Sequence, residues 1–154
     1  MGEVIVYEHI LISSDGSDLA QAGVEHGLRL AKLHGSKVTA VTVTEPLGGQ
    51  FAFASELWSP NQDETAAYDK AQAAIAGRIL GRIRQSAEMI GVPIDTVHVS
   101  WRLPASAVVE TAEQRGCSLI VMASHGRTGV SQVMLGSQTA RAVSTSKVPV
   151  LVVR

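Results

Sequence analysis

The sequence predicts an α/β fold: a single domain, residues 1–154, built as an open five-stranded parallel sheet with helices on both faces. Three observations carry this. Five short apolar runs alternate with four helical patterns in the order β-α-β-α-β-α-β-α-β, and such alternation joins strands by right-handed crossovers into a parallel sheet. Two of the runs, "LIVM" at 119–122 and "VLVV" at 150–153, are apolar throughout, as suits strands covered on both faces. A chain of 154 residues with 45% hydrophobic and 18% charged side chains buries a core without staples.

The first strand is expected from Val4 to Ile12. The helix after it carries Ala20, Gly23, Val24, Gly27, Leu28 and Ala31 at steps of three and four, one apolar stripe whose small members let it sit close to the sheet. Ser17 or Asp18 caps its start and Gly35 ends it. The second strand runs from Lys37 to Val43. Residues 44–62, "TEPLGGQFAFASELWSPNQ", form the one long irregular stretch and hold Phe51, Phe53 and Trp58. A lid, an interface and a disordered tip are equally open readings of it.

The second helix is expected from about Asp63 to Ile90, with Ile75, Ile79, Ile83 and Ile90 on its pattern. Gly77 and Gly81 lie four apart on it. Each weakens an exposed helix by about 1 kcal/mol relative to Ala, so close packing against a neighbour is the expected reason for them. The third strand spans Ile94 to Trp101. The third helix opens on Pro104, buries Ala105, Val108, Val109 and Ala112, and ends at Gly116. Cys117 follows at the turn and reads as a small space-filler. The fourth strand is Leu119 to Met122, the fourth helix runs from near Ser137 to about Ser144, and Val148 to Val153 form the last strand.

Composition excludes several classes of function. A net charge of −1 and a pI near 6.5 leave no basic footprint for nucleic acid or an anionic membrane. One cysteine excludes an internal disulfide and a cysteine-rich zinc site. The start, "MGEVIVYEHILISS", lacks a basic region, and Glu8 and His9 interrupt its apolar run, so no signal peptide is expected. No run approaches the roughly 18 apolar residues of a membrane span. A cytoplasmic protein is the expectation. His9, His26, His34 and His98 show no ligand spacing, so no protein-only metal site is expected.

In an open α/β sheet, ligands bind beyond the carboxyl ends of the strands, where the strand order reverses. The strand ends there supply Ser13, Ser14 and Asp15, then Val43 and Thr44, then residues 123–136. The last stretch continues as "ASHGRTGVSQVMLGSQTARAV" and places three glycines before anything helical. Glycines let backbone N–H groups approach a ligand. Gly136 and Ser137 open a helix, whose N-terminus attracts anions. Ser137 could cap that helix or donate to a phosphate, and His125 and Arg127 could add donors. Asp15 could equally cap the first helix. These residues fit a phosphate site and also a capped loop. Neither G-x-x-x-x-G-K-[ST] nor G-x-G-x-x-G occurs. Ser124 and His125 are neighbours without a nucleophile elbow, so no hydrolase triad is expected.

The chain resembles the universal stress protein family along nearly its whole length. The resemblance is carried by "HILISSDGSDLAQAGVEHGLRLA", "VTAVTVTEP", "ASAVVETAEQRGCSLIVMASHGR" and "LGSQTARAVSTSKVPVLVV". The ATP-binding branch of that family has the pattern G-x2-G-x9-G-[ST]. Gly126 and Gly136 match its second and third glycines and Ser137 its last residue, while Ala123 stands where the first glycine would be.

The resemblance implies a Rossmann-like fold of the adenine nucleotide alpha-hydrolase type, and a site for ATP, or for ADP or AMP, with Mg²⁺ able to accompany ATP. Asp15 would take the ribose hydroxyls and the Val43 backbone the adenine edge. The Ala123 backbone would lie under the ribose, Gly126 and Arg127 beside the phosphates, and Gly136, Ser137 and Gln138 around the phosphate tail. It also implies a nucleotide-dependent regulator of stress survival and a homodimer. The bare apolar edge from Val148 to Val153, where Pro149 is tolerable, is the expected dimer contact. Two alternatives stand beside this. One is a dimeric interaction module without nucleotide, which Ala123 favours. The other is a slow ATPase, for which no base or nucleophile stands out.

Overall fold

Strands β1 (His9–Ser13), β2 (Lys37–Thr44), β3 (Ile94–Ser100), β4 (Leu119–Ala123) and β5 (Val150–Val153) pair in parallel in the order β3-β2-β1-β4-β5. The computed structural model describes residues 6–49, 59–126 and 134–154. Helices α1 (Asp18–His34), α2 (Gln62–Met89), α3 (Pro104–Gln114) and α4 (Ser137–Thr145) connect the strands.

Alternation along β1 builds two cores. Ile10 and Ile12 face α1 and α2 with Val24, Leu28, Leu80 and Ile83. Leu11 faces the other way, toward α3 and α4, with Val41, Val108, Ile120 and Ala142. All three β1 side chains are fully buried. Burial on that scale stabilises by about 1.5–3 kcal/mol per side chain. The chain steps outward from β1 to β2 to β3, then returns across β1 to place β4 and β5 on its other side. The order therefore reverses between β1 and β4, and a cleft opens at their carboxyl ends.

Local chemistry sets the helix ends. The Ser17 side chain caps α1 by accepting from Ala20 N at 3.2 Å, and Gly35 closes it with φ 66°. α1 lies so close to the sheet that a Cβ on Gly27 would stand 2.7 Å from Ile12 Cδ1. Asn61 and Glu64 form a reciprocal capping box at the start of α2. Pro104 occupies the first turn of α3.

The amino end of the sheet is sealed by side chains. His9 is 6% exposed. Its Nδ1 donates to Arg115 O at 3.1 Å and its Nε2 accepts from the Thr39 hydroxyl at 2.8 Å. A carbonyl can only accept, so this pairing sets the neutral Nδ1–H tautomer. Ser118 Oγ donates to His9 O at 3.2 Å, and Ser36 Oγ donates to Tyr7 O.

Several boundaries differ from the sequence expectation. β1 starts at His9 rather than Val4, because pairing begins where His9 meets Lys37. Residues 6–8 precede the strand, and residues 4 and 5 lie outside the described residues. β2 extends one residue further, to Thr44. β3 stops at Ser100, since Trp101 turns to φ 60°. β5 starts at Val150 rather than Val148, whose N–H is taken by Ser146 Oγ at 3.0 Å in a local turn. Gly77 and Gly81 do not pack against a neighbour: a Cβ on either would meet nothing within 4 Å. Within 44–62, Thr44 ends β2, a turn closes with Gly49 N donating to Pro46 O at 2.8 Å, and Gln62 opens α2. Phe51, Phe53 and Trp58 lie outside the described residues, and with them the three readings of that segment.

Candidate functional site

The cleft at the carboxyl ends of the strands has a volume of about 620 Å³, within the ~300–1,000 Å³ usual for small-molecule sites. Its floor is the end of β1. Ser14 N donates to Val41 O at 3.1 Å, and Ser14 O accepts from Thr42 Oγ1 at 3.0 Å. The Asp15 carboxylate accepts from Ser17 N at 3.0 Å. It does not cap α1, since Ser17 does.

Val43 lines the cleft beside this floor. The Val41 carbonyl faces β1, as its bond to Ser14 shows. In a parallel strand, alternate residues turn their N–H and C=O to the same side. Val43 therefore aims its backbone pair toward the side where β1 has already ended.

The opposite wall is built from backbone. Ala123, 7% exposed, is the last residue of β4 and pairs with Val153. Its φ is negative, so it differs from a glycine there by one methyl group. Its carbonyl accepts from Thr139 Oγ1 at 2.9 Å. Gly126 lies against Asp15, and a Cβ on it would stand 2.6 Å from Asp15 Oδ2. Gly136 returns onto residues 124 and 125. Its N–H donates to Ser124 O at 2.8 Å, and a Cβ on it would stand 3.0 Å from that oxygen and 3.3 Å from His125 Cα. Neither glycine has positive φ, so what a side chain would disturb is space: at 126 the Asp15 carboxylate would have to move, and at 136 the backbone of residues 124 and 125 would have to give by a few tenths of an ångström.

Gly136 is the N-cap of α4 and Ser137 its first helical residue, so Ser137 does not cap the helix. Among the described residues no side chain caps α4, and its first N–H groups have no intrahelical acceptor. The Gln138 side chain is turned elsewhere: its Oε1 accepts from Ala105 N at 3.0 Å, in the first turn of α3. Arg127 lies outside the described residues.

A sequence model of the universal stress protein family matches residues 6–154. The chain belongs to the universal stress protein family. The universal stress protein MJ0531 of Methanocaldococcus jannaschii is 31% identical to it, over 97% of this chain and 83% of that protein. YxiE of Bacillus subtilis, another universal stress protein, is 28% identical over 97% of this chain and 100% of its own. The solved structure of MJ0577, the subject of a structure-based assignment of biochemical function, matches with a TM-score of 0.80 at 25% identity, covering 96% of each chain. A universal stress protein solved in complex with cAMP matches with a TM-score of 0.70 at 26% identity, covering 97% of this chain and 98% of that one.

Sequence reasoning missed one wall of this universal stress protein's cleft. Tyr68, Gln72, Ile75 and Ile79 of α2 line it. Their spacing of four, three and four was visible as a helical stripe, but not which way the stripe faces. Tyr68 fixes it: its hydroxyl donates to Glu45 O at 2.9 Å and ties α2 to the chain just beyond β2. Burial, then the Glu45 and Asp69 charges, push the Tyr68 pKa up, so the hydroxyl keeps its proton. Behind the cleft, His98 Nε2 bonds the Thr44 hydroxyl at 2.8 Å, and burial lowers its pKa.

Other reactive side chains are set for structure. Ser124 Oγ lies 3.0 Å from His125 Nδ1, but Ser124 is 4% exposed and does not line the cleft. Cys117 is buried in the α3–α4 core, and burial pushes its thiol up to about 11. It is therefore a protonated, unreactive thiol near neutrality. Among the described residues no helix is long and apolar enough to cross a membrane, and no three His, Cys, Asp or Glu side chains could hold a metal ion.

Proposed function

We propose that this universal stress protein binds an adenine nucleotide in the cleft and acts as a nucleotide-dependent, cytoplasmic regulator of the stress response, with ATP as the expected ligand and ADP or AMP as alternatives. The observation that carries this is the pair of crowded glycines. Side chains at 126 and 136 would stand 2.6 and 3.0 Å from Asp15 and Ser124. These two bare backbone positions stand by a helix start that no side chain caps among the described residues, and such a start attracts phosphate. The relative solved with cAMP supports the adenine nucleotide class.

In this reading Asp15 accepts from the ribose hydroxyls and the Val43 backbone takes the base edge. The Ala123 backbone underlies the ribose, and Gly126 and Arg127 stand beside the phosphates. Gly136, Ser137 and Gln138 receive the phosphate tail. Gln138 does so through its N–H, because its side chain holds α3. Mg²⁺ enters with the polyphosphate rather than through a protein-only site. In this reading the nucleotide biases a conformation or a surface rather than turning over rapidly.

Calorimetry with ATP, ADP and AMP tests the proposal. A micromolar dissociation constant is expected, roughly −8 kcal/mol. Asp15→Ala should weaken it by about tenfold or more, since a hydrogen bond to a charged group is worth ~1.5–3 kcal/mol. Ala123→Gly should leave it equal or up to about fivefold tighter, a methyl shift being worth ~1 kcal/mol. No heat at millimolar nucleotide, for the wild type and Ala123→Gly alike, overturns this reading in favour of an interaction module without nucleotide.

The proposed assembly is a homodimer through β5 and the residues leading into it, Val148 to Val153. β5 is an edge strand of four apolar residues, each only half-buried in one chain. The opposite edge, β3, intersperses Asp95, Thr96, His98 and Ser100. An apolar edge invites a second chain more than a polar one. Val150→Lys should give a monomer or insoluble protein, and an unchanged dimer mass in light scattering removes this interface.

A further inference from the structure

Tyr68 ties α2 to Glu45, which brings Gln72, one turn further along, to the part of the cleft that holds Val43 and Thr44. The crowded glycines lie on β4 and α4, across the cleft. A nucleotide whose phosphates meet Gly136 therefore extends its base toward α2, and this inference rests on the nucleotide reading above. Ile75 and Ile79 supply apolar surface for a flat ring there.

Adenine presents two polar edges. One pairs N1 with the N6 amine, the other N7 with the same amine. The Val43 N–H and C=O match one acceptor and one donor and suit the first edge. The second needs a donor for N7 and an acceptor for N6.

The other polar side chains on this wall are engaged or of the wrong type. The Thr42 hydroxyl donates to Ser14 O, the Thr44 hydroxyl bonds His98, and the Tyr68 hydroxyl donates to Glu45 O. The Glu45 carboxylate can only accept. Gln72 makes no hydrogen bond among the described residues. Its amide carries both a donor and an acceptor, the pairing that reads the N6/N7 edge of adenine. Guanine offers two acceptors along that edge and leaves the amide oxygen unmatched.

We propose that Gln72 is a specificity-determining residue of this cleft, its side-chain amide reading the N6/N7 edge of adenine.

The test is a cycle between one side chain and one ring atom. ATP and 7-deaza-ATP, which lacks N7, are titrated by calorimetry into the wild type, Gln72→Leu and the near-isosteric Gln72→Glu, with GTP as a third probe. Thermal unfolding confirms that each variant is folded. The wild type should bind ATP about tenfold tighter than 7-deaza-ATP or GTP, as a bidentate contact implies. Gln72→Glu, which keeps only the acceptor for N6, should bind ATP about as weakly as the wild type binds 7-deaza-ATP, Gln72→Leu, which keeps neither group, more weakly still, and neither should lose further affinity for 7-deaza-ATP. If both variants keep the full preference for ATP over 7-deaza-ATP, the role of Gln72 is overturned and the nucleotide reading stands. If the wild type binds none of the three, the two fall together.

Discussion

The two ends of β1 solve the same problem in opposite ways. At the His9 end, side chains close over the backbone: His9 bridges Arg115 and Thr39, Ser118 reaches the His9 carbonyl, and Ser36 reaches Tyr7. At the Ser13 end, side chains cover less: Thr42 reaches the Ser14 carbonyl and Thr139 the Ala123 carbonyl. Gly126 and Gly136 have no side chain, Ala123 has only a methyl group, and among the described residues no side chain caps the N–H groups opening α4. A buried polar group needs a partner. One end supplies its partners from within the chain; the other stays open as the cleft. Stability should therefore be concentrated at the first end and binding at the second.

The strongest way to break this contrast is at Gly136. Gly136→Val puts atoms within 3.0 Å of Ser124 O and 3.3 Å of His125 Cα and blocks the approach to α4. Nucleotide affinity measured by calorimetry should fall by about 100-fold or more, some 2.7 kcal/mol, while unfolding stays cooperative. His9→Ala should do the reverse. It leaves the Arg115 carbonyl and the Thr39 hydroxyl without their partner, which costs about 1–3 kcal/mol in a denaturant titration, and it should leave nucleotide affinity unchanged. If His9→Ala weakens binding as much as Gly136→Val does, the division of labour between the two ends is wrong.

Acid sharpens the contrast further. Burial first, and then the Lys37 charge, lower the His9 pKa below its ordinary 6.5, and burial lowers that of His98. The unfolded chain then binds more protons than the folded one, so stability rises with pH. The contribution is complete above about pH 6.5 and is lost as pH falls through the lowered folded values. The melting temperature should drop between pH 7.5 and 5, and His9→Gln should flatten that slope in part. A slope identical to that of the wild type would remove His9 from the account.

The smallest effect is expected far from both ends. Gly77→Ala and Gly81→Ala add a methyl group into open space on an exposed helix face. Each should stabilise by about 1 kcal/mol in denaturant unfolding without touching affinity. Destabilisation by either would mean that the methyl group meets something in solution.

What could be read in advance was local. Ser17, Gly35, Pro104 and the apolar run of β4 act within a few residues of themselves, and all four stand where their chemistry placed them. The reversal point followed too, because alternating strands and helices leave few ways to wind a sheet. What escaped depends on partners distant in sequence. β1 begins at His9 because Lys37 and Ser118 are there to meet it, and the alternation from Val4 onward carries no trace of that. Gly77 and Gly81 suggested a close neighbour, yet in space they have none. Gln72 drew no attention in the sequence, since the face it presents depends on how α2 packs on the sheet and on the bond from Tyr68 to Glu45. Ser137 resembled a cap by type, but it is already helical, and the cap position falls one residue earlier, on the extended Gly136.

Gln138 belongs to two helices at once. Its backbone lies in the first turn of α4, and its side chain accepts from the first turn of α3. α3 has no side-chain cap from Leu103, so that bond comes from a neighbour rather than from its own cap residue. The two helix starts consequently share one degree of freedom. A displacement of the α4 turn beyond the reach of that side chain would strip the Ala105 amide of its acceptor. One glutamine side chain thus fastens together two helix starts that line the same cleft, Pro104 from α3 and Ser137 from α4.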